Sequence, residues 1–199
     1  MKSKQDILEY CEKIERMKLL WKLYRANQID LVFGDEAGFQ MVHSLPYAWQ
    51  PTGKWTRILP QKGKMLRLFG LLYADNRLHV YPNQGSMNAK FIIESLDDFA
   101  QKISKPTVVI LDNAPIHRAQ IVKEKRIIWE QKDLYLFFLP KYSPHLNRIE
   151  ILWRKMKYEW IEPKHYRSWG IYTKAITRLI EQFGSEKYNI RFNEPFYTV

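Results

Sequence analysis

Three acidic residues of this chain have the types and settings that metal-dependent chemistry on a polyanion requires. Asp35 lies in or at the end of one apolar strand-like run, Asp112 follows another, and Glu150 lies in the opening turns of an amphipathic helix. Mg²⁺ takes carboxylate oxygens as ligands, and two such ions about 3.5–4 Å apart can activate an attacking oxygen and stabilise a leaving oxygen. The acids therefore predict a divalent-cation site that acts on phosphoryl groups.

Each acid also has an ordinary structural explanation. Asp35 and Glu36 could be polar residues at a strand end, and Asp112 could initiate a turn. Glu150 lies three residues after Asn147, which is the spacing of a helix capping box. Because side chains alternate along a strand, Asp35 and Glu36 cannot point the same way. We therefore predict Asp35 as the ligand, with Glu36 as the alternative.

The hydrophobic pattern predicts the elements that bring these acids together. Short apolar, β-branched runs indicate strands, and apolar residues at spacings of three and four indicate helices. An antiparallel hairpin followed by strand–helix–strand units implies an α/β fold, a mixed five-stranded sheet with helices on both faces. In chain order the predicted elements are a helix (5–26), a strand (31–35), a hairpin (66–73 and 77–81), a helix (from 88), a strand (107–111), a helix (116–131), a strand (134–138), and helices after Pro144 and over 170–183.

The predicted sheet would place two of the acids at one edge. If their strands are neighbours, about 4.8 Å apart, Asp35 and Asp112 face each other. Unpaired carboxylates that close repel, and one of them would hold a proton. A divalent cation relieves this repulsion, and Glu150 arriving from a helix would complete the site for a second ion.

Composition limits the class of protein. The 199 residues suffice for one domain with a substantial core, and 46% hydrophobic residues indicate a globular chain. Lys and Arg outnumber Asp and Glu by 32 to 21, which favours nucleic acid or an anionic membrane surface as partner. The single Cys11 excludes an internal disulfide framework. With no secretory apolar core and no run near the roughly 20 residues that span a bilayer, we expect a cytoplasmic protein.

Three segments resemble the signature blocks of DDE transposases, namely Asp35–Phe39, Leu111–His117 and Pro140–Trp153. They are most similar to the bacterial insertion-sequence relatives of the mariner-like superfamily, in which the third acid is Glu rather than Asp. Between Asp112 and Glu150 lie 37 residues, close to the spacing in that superfamily.

The resemblance covers about residues 30 to 161 and carries several expectations. It implies a ribonuclease-H-like fold and two Mg²⁺ or Mn²⁺ ions held by Asp35, Asp112 and Glu150. It implies cleavage at transposon ends followed by strand transfer, typically into a TA dinucleotide. The expected partner is double-stranded DNA, on which two copies of the protein would assemble as a homodimer.

Three further residues of the signature blocks are expected to support the acids. His117 would orient a ligand by a hydrogen bond, because hard Mg²⁺ prefers oxygen to nitrogen. Asn113 and Asn147 would play similar supporting or capping roles.

Basic residues near the acids and in the long connection 40–65 are candidates for DNA contact. This connection matches in position the clamp loop with which such enzymes reach a partner subunit, and its Trp49 and Trp55 could stack on bases. For any one lysine a solvated surface position is the alternative. The candidates are Lys54, Arg57, Lys62 and Lys64 in the connection, and Lys141, Arg148, Arg154, Lys155 and Lys157 around Glu150.

The predicted organisation has a helical lead-in (1–28), a catalytic domain (29–184) containing the clamp-like loop, and a C-terminal tail (185–199). Full-length relatives carry an upstream helix-turn-helix region that recognises transposon ends. Only one helix precedes the first strand here, so we expect a catalytic half. A related nuclease that only hydrolyses DNA and a non-catalytic DNA-binding remnant are the alternatives.

Overall fold

The computed structural model describes residues 7–41, 52–53 and 64–192, and this part of the chain contains one five-stranded sheet with the order β3-β2-β1-β4-β5. Neighbours β1, β2 and β3 run antiparallel, whereas β4 and β5 run parallel to β1. The predicted mixed α/β sheet is confirmed. Its strands are β1 (Asp30–Gln40), β2 (Met65–Tyr73), β3 (Leu78–Asn83), β4 (Thr107–Leu111) and β5 (Leu134–Phe138).

Helices cover both faces of this sheet. One face packs against α1 (Ile7–Arg25), α4 (Arg148–Lys155) and α5 (Trp169–Glu181), and the other against α2 (Ala89–Phe99) and α3 (Gln120–Glu130). The sheet is thus buried from both sides, as its continuous apolar strands require. Residues buried on the first face include Met17, Trp21, Ile149, Trp153 and Ile176, and those on the second include Ile92, Phe99, Val122 and Trp129.

Because side chains alternate along β1, the consecutive acids Asp35 and Glu36 lie on opposite faces of the sheet. Leu31 and Phe33 belong to the core beneath α1, α4 and α5, whereas Val32 belongs to the core beneath α2 and α3. Since successive side chains point to opposite faces, Asp35 lies on the α4 face and Glu36 on the α3 face.

The register between β1 and β4 brings two acids to one edge. Their parallel ladder ends at the pair Phe33 and Ile110. Asp35 and Asp112 each lie two residues further along the chain, Asp35 within β1 and Asp112 directly after β4. The strands are neighbours, as predicted. However, β1 continues to Gln40 because it stays paired with β2, so Asp35 lies inside β1 rather than at its end.

Gly70 allows α4 to approach the sheet beside Asp35. It is the direct cross-strand partner of Asp35 in β2. A Cβ at position 70 would lie 2.4 Å from the Trp153 ring and 2.9 Å from Ile149 Cδ1, both on α4. These contacts leave no room for a side chain, so the missing Cβ sets how closely α4 docks.

Other elements differ from the predicted ones at their boundaries. The helix predicted from 116 begins at Gln120, because backbone hydrogen bonds from His117 to Ala114 and from Arg118 to Pro115 form a turn first. The helix after Pro144 is interrupted: a 3₁₀ turn (Pro144–Leu146) precedes α4 and a π-helical turn (Met156–Trp160) follows it.

Several predicted features concern the periphery of the fold. The predicted lead-in contains α1, whose Met17 and Trp21 are buried in the main core. Most of the clamp-like connection 40–65, with Lys54, Arg57, Lys62 and both of its tryptophans, lies outside the described residues. Among the described helices, none has the length and apolar character to cross a membrane.

Replacing Gly70 by Ala is expected to lower the free energy of unfolding by about 1–3 kcal/mol, the usual cost of overpacking. The added methyl group would overlap Trp153 and Ile149. Chemical denaturation followed by tryptophan fluorescence measures the change. Gly170→Ala is the matched control, because nothing lies within 4 Å of a Cβ there and alanine favours a helix. Equal stability of the Gly70→Ala variant and the wild type would contradict the close packing of α4.

Candidate active site

Asn147 fixes the start of α4 to the sheet at the point where two strands separate. Its side chain is buried, and its Nδ2 donates a hydrogen bond to the Gly34 carbonyl oxygen at 3.0 Å. Gly34 is the first β1 residue beyond the last pair with β4, Phe33 and Ile110. The capping-box explanation of Glu150 is wrong, because the Asn147 side chain makes no capping hydrogen bond and reaches the sheet instead.

Glu150 lies between two adjoining cavities, each of which contains another of the predicted acids. The first, of about 480 Å³, is lined by Asp35 and Glu150 and is called here the Asp35 cavity. The second, of about 450 Å³, is lined by Asp112 and Glu150 and is called the Asp112 cavity. Pro144 also lines both. The first turn of α4 thus stands above the edge where the two strands end their pairing.

The negative charges of the three acids affect one another. Burial raises the pKa of Asp35 to about 8, and the charges of Glu36 and Glu150 add to this effect. Asp112 acts on Asp35 in the same direction. Burial, together with the charge of Asp112, also raises the pKa of Glu150. Asp35 and Glu150 thus both lie where neighbouring acids disfavour the ionised carboxylate.

His117 bridges two carboxylates from a fully buried position. Its Nδ1 lies 2.8 Å from Asp112 Oδ1 and its Nε2 lies 2.6 Å from Glu36 Oε1. Burial disfavours the charged ring, but the hydrogen bonds to Asp112 and Glu36 outweigh it and raise the pKa of His117 to about 10. The hydrogen bond from His117 in turn lowers the pKa of Asp112. His117 therefore makes a hydrogen bond to Asp112, and its role in orienting a cation ligand stays a prediction.

The turn after β4 is held by its own polar groups. The Ala114 N–H donates to Asp112 Oδ1 at 2.9 Å. Asn113 Nδ2 donates to the carbonyl oxygen of Leu139, just beyond β5. These bonds fix the backbone that carries Asp112 against the neighbouring strand.

The donor set suits hard divalent cations. Asp35, Asp112 and Glu150 offer only oxygen ligands, and the accumulated negative charge favours a cation among them. Within the described ranges, no three His, Cys, Asp or Glu side chains already lie close enough together to hold a metal ion. The three acids face one region from three elements without forming a closed cluster.

Three of the predicted DNA-contact residues line the cavities. Arg154 and Lys157 line the Asp35 cavity, and Lys141 lines the Asp112 cavity. Lys157 Nζ lies 5.3 Å from the centre of the Phe39 ring. Burial lowers the pKa of Lys157, and the charge of Asp35 opposes this shift.

The remaining basic candidates have other surroundings. The Arg148 guanidinium packs over the rings of Trp21 at 4.3 Å, Phe192 at 5.0 Å and Phe33 at 5.8 Å. This arrangement joins α1, α4 and the C-terminal segment, and a phosphate contact by Arg148 stays a prediction. Lys155 pairs with Glu159 along its own helix. Lys64 is exposed just before β2.

Glu36 is the site residue whose role sequence reasoning missed. It was an alternative ligand to Asp35, whereas the structure joins it to His117. Strand alternation does predict that Glu36 faces away from Asp35. Nothing in the sequence indicates that His117, which follows a different strand, would meet it there.

Solved structures of Mos1 share this fold. The Mos1 strand transfer complex matches with a TM-score of 0.58 at 17% identity, over 94% of this chain and 54% of that chain. The mariner Mos1 paired-end complex with Mg matches with a TM-score of 0.58 at 14% identity, over 94% and 58%. The complex with Mn matches with a TM-score of 0.53 at 18% identity, over 85% and 55%. The predicted ribonuclease-H-like fold is confirmed, and the chain spans about half the length of these proteins.

Sequence comparison leads to the family. No curated protein matches the chain. Residues 30–169, a segment that includes Asp35, Asp112 and Glu150, match the family described as DDE superfamily endonuclease. This match covers more than half of the sequence and the whole of the predicted site. The chain therefore belongs to the DDE superfamily endonucleases.

Proposed function

We propose that this chain is the catalytic domain of a transposase that cleaves DNA strands at transposon ends and joins them to a target. The observation that carries the proposal is the position of Glu150 between the Asp35 cavity and the Asp112 cavity. In a DDE superfamily endonuclease, three acids in this arrangement are suited to phosphoryl transfer.

Two divalent cations, Mg²⁺ or Mn²⁺, are the proposed cofactors, with Asp35, Asp112 and Glu150 as the residues that hold them. Such cations supply charge stabilisation to the attacking and leaving oxygens of an in-line displacement. The raised pKa values of Asp35 and Glu150 support this assignment: burial raises both, Glu150 and Asp112 add to the shift of Asp35, and Asp112 adds to that of Glu150. Carboxylates that disfavour each other's ionised form gain from a cation. Mos1 paired-end complexes have been solved with Mg and with Mn.

Different side chains of the site would hold the acids in place and complete the cation sites. Asp112 is held by His117 and by the Ala114 N–H, which fixes the carboxylate before substrate arrives. Glu150 adjoins both cavities and would complete the site for the second cation. Water would be the first nucleophile and the freed 3′-hydroxyl the second, without a covalent enzyme intermediate.

Double-stranded DNA is the proposed substrate. The net charge of +11 favours a polyanion, and Lys141, Arg154 and Lys157 line the two cavities as phosphate contacts. Mos1 has been solved as a paired-end complex with the left transposon end. Because the chain spans about half of such proteins, we propose that end recognition needs a further helix-turn-helix portion and that two copies assemble on DNA.

Removing one acid is expected to abolish metal-dependent strand cleavage. Asp112→Asn and Glu150→Gln should each reduce Mn²⁺-dependent nicking of labelled DNA by at least ~10³-fold, since the charge that holds the cation is lost. Glu94→Gln on α2 is the matched control, because Glu94 is an exposed acid on a helix that covers the opposite face of the sheet from α4. In a second assay, the protein is given DNA with pre-cut ends together with target DNA. Joined products then indicate strand transfer, which hydrolysis alone does not give. Undiminished nicking by Asp112→Asn would refute the site, and nicking without joining would favour a hydrolytic nuclease.

Removing one phosphate contact is expected to change the salt dependence of DNA binding. In Arg154→Gln and Lys157→Gln, the slope of log K against log salt should fall by roughly one unit for every DNA sequence tested. Fluorescence anisotropy titrations at several salt concentrations give the slope. Lys123→Gln on α3, an exposed lysine on the opposite face of the sheet, should leave the slope as in the wild type. An unchanged slope in both cavity variants would show that Arg154 and Lys157 do not contact DNA phosphates.

Asp35 is expected to make the metal-free protein less stable as pH rises. Its pKa is about 8 when folded against an unperturbed 3.8, so the folded state keeps a proton that the unfolded state has lost. Between these two pH values stability therefore falls as pH increases. Asp35→Asn should have a higher Tm than the wild type at pH 9 in EDTA, with the difference shrinking toward pH 4. Thermal denaturation measures the Tm of the two proteins at each pH. If the Tm of both changed with pH in the same way, the raised pKa of Asp35 would be contradicted.

A further inference from the structure

His117 joins an acid on each side of its ring and thereby links two strands beyond the end of their ladder. Its ring is fully buried, with Asp112 on one nitrogen and Glu36 on the other. We propose that Glu36 is a positioning residue that acts through His117 to fix Asp112 and its distance from β1, in the site of the function proposed above.

The hydrogen-bonding capacity of the three groups defines the geometry. Ionised carboxylate oxygens only accept hydrogen bonds, so both ring nitrogens of His117 donate, Nδ1 to Asp112 and Nε2 to Glu36. Asp112 Oδ1 also accepts from the Ala114 N–H at 2.9 Å. With two donors on Oδ1, the other oxygen, Oδ2, receives neither of these bonds, and the Asp112 side chain, which lines the Asp112 cavity, is 46% exposed.

Glu36 completes this arrangement because a ring held at one nitrogen can still turn. A second hydrogen bond at the far nitrogen, 2.6 Å long, fixes the ring plane. The ring also lies against Phe69 of β2, with 6.5 Å between ring centres. Outer groups that hold a ligand in this way commonly change metal affinity by about 10–100-fold when removed.

The same bridge spans the gap that opens between β1 and β4. Backbone pairing between these strands stops at Phe33 and Ile110. Past that point the link runs from Glu36 on β1 through His117 to Asp112 after β4. Since Asp35 is the neighbour of Glu36 in β1, the bridge also limits how far Asp35 and Asp112 can move apart.

A different role for Glu36 is direct contact with a cation. Glu36 lines the Asp35 cavity together with Asp35 itself. The two roles predict different behaviour when His117 is already altered, because an effect transmitted through His117 disappears with it and a direct contact does not.

Mn²⁺ binding in the absence of DNA provides the test, with free Mn²⁺ counted by electron paramagnetic resonance. Glu36→Gln should weaken binding by about tenfold. His117→Asn keeps a donor near the Nδ1 position and should lose less affinity than His117→Gln, which keeps one near Nε2 instead. In the His117→Asn protein, adding Glu36→Gln should cause no further loss.

Asp97→Asn is the matched control for structural damage. Asp97 also accepts two side-chain hydrogen bonds, from Trp129 Nε1 and Lys125 Nζ, both at 2.8 Å, but it lies between α2 and α3. This variant should lower the Tm at least as much as Glu36→Gln does while binding Mn²⁺ like the wild type.

The outcomes separate the inference from the proposed function. Mn²⁺ affinity of Glu36→Gln equal to that of the wild type overturns the positioning role. An equal loss from Glu36→Gln with and without His117→Asn overturns it in favour of a direct ligand. Mn²⁺ binding that is unchanged by Asp112→Asn defeats the proposed function and the inference together. Should both His117 variants fail to fold, wild-type Mn²⁺ affinity of Glu36→Gln still overturns the positioning role, and Asp97→Asn still shows whether a loss of affinity is specific to the site.

Discussion

The docking of α4 on the sheet is the constraint on which the rest of the site depends. Asn147 binds the Gly34 carbonyl where β1 and β4 separate, and Gly70 leaves the space that Trp153 fills. One contact sets where the helix begins and the other sets how closely it lies. Together they bring Glu150 over the strand edge, although the charges gathered there oppose its approach. The packing of apolar residues beneath α4 thus maintains a concentration of charge that would not assemble by itself.

The electrostatics of the site follow from the two faces of β1. On one face Asp35 meets other acids in a buried setting, and its pKa rises to about 8. On the other face Glu36 meets His117, whose charge compensates it. A single strand therefore carries one carboxylate whose ionisation is opposed by neighbouring acids and another that is hydrogen-bonded to a charged histidine. This difference suits the proposed roles of Asp35 as a cation ligand and Glu36 as a supporting residue.

Local pattern was sufficient to predict the sheet and the helices on both faces, and the assignment of the three acids to the site stays a prediction. Apolar runs and turn residues are patterns of neighbouring residues, so the sequence predicts β4, β5 and the helix between them. The Asn147 bond to Gly34 spans 113 residues and the His117 bond to Glu36 spans 81. Contacts of that separation leave no periodic signal in one sequence. The capping spacing before Glu150 was misleading for the same reason, because the bond from Asn147 Nδ2 to Gly34 holds the side chain against the sheet and its oxygen makes no capping hydrogen bond.

The stacking of Arg148 has a consequence for how forces reach the site. Its guanidinium lies between Trp21 of α1 and Phe192 near the end of the described chain, and it is the first residue of α4. Both extremities of the fold are therefore clamped to the helix that carries Glu150. A force applied to the chain before α1 or after Phe192 would therefore be transmitted to α4 through this stack. It would reach the helix at Arg148, two residues from Glu150.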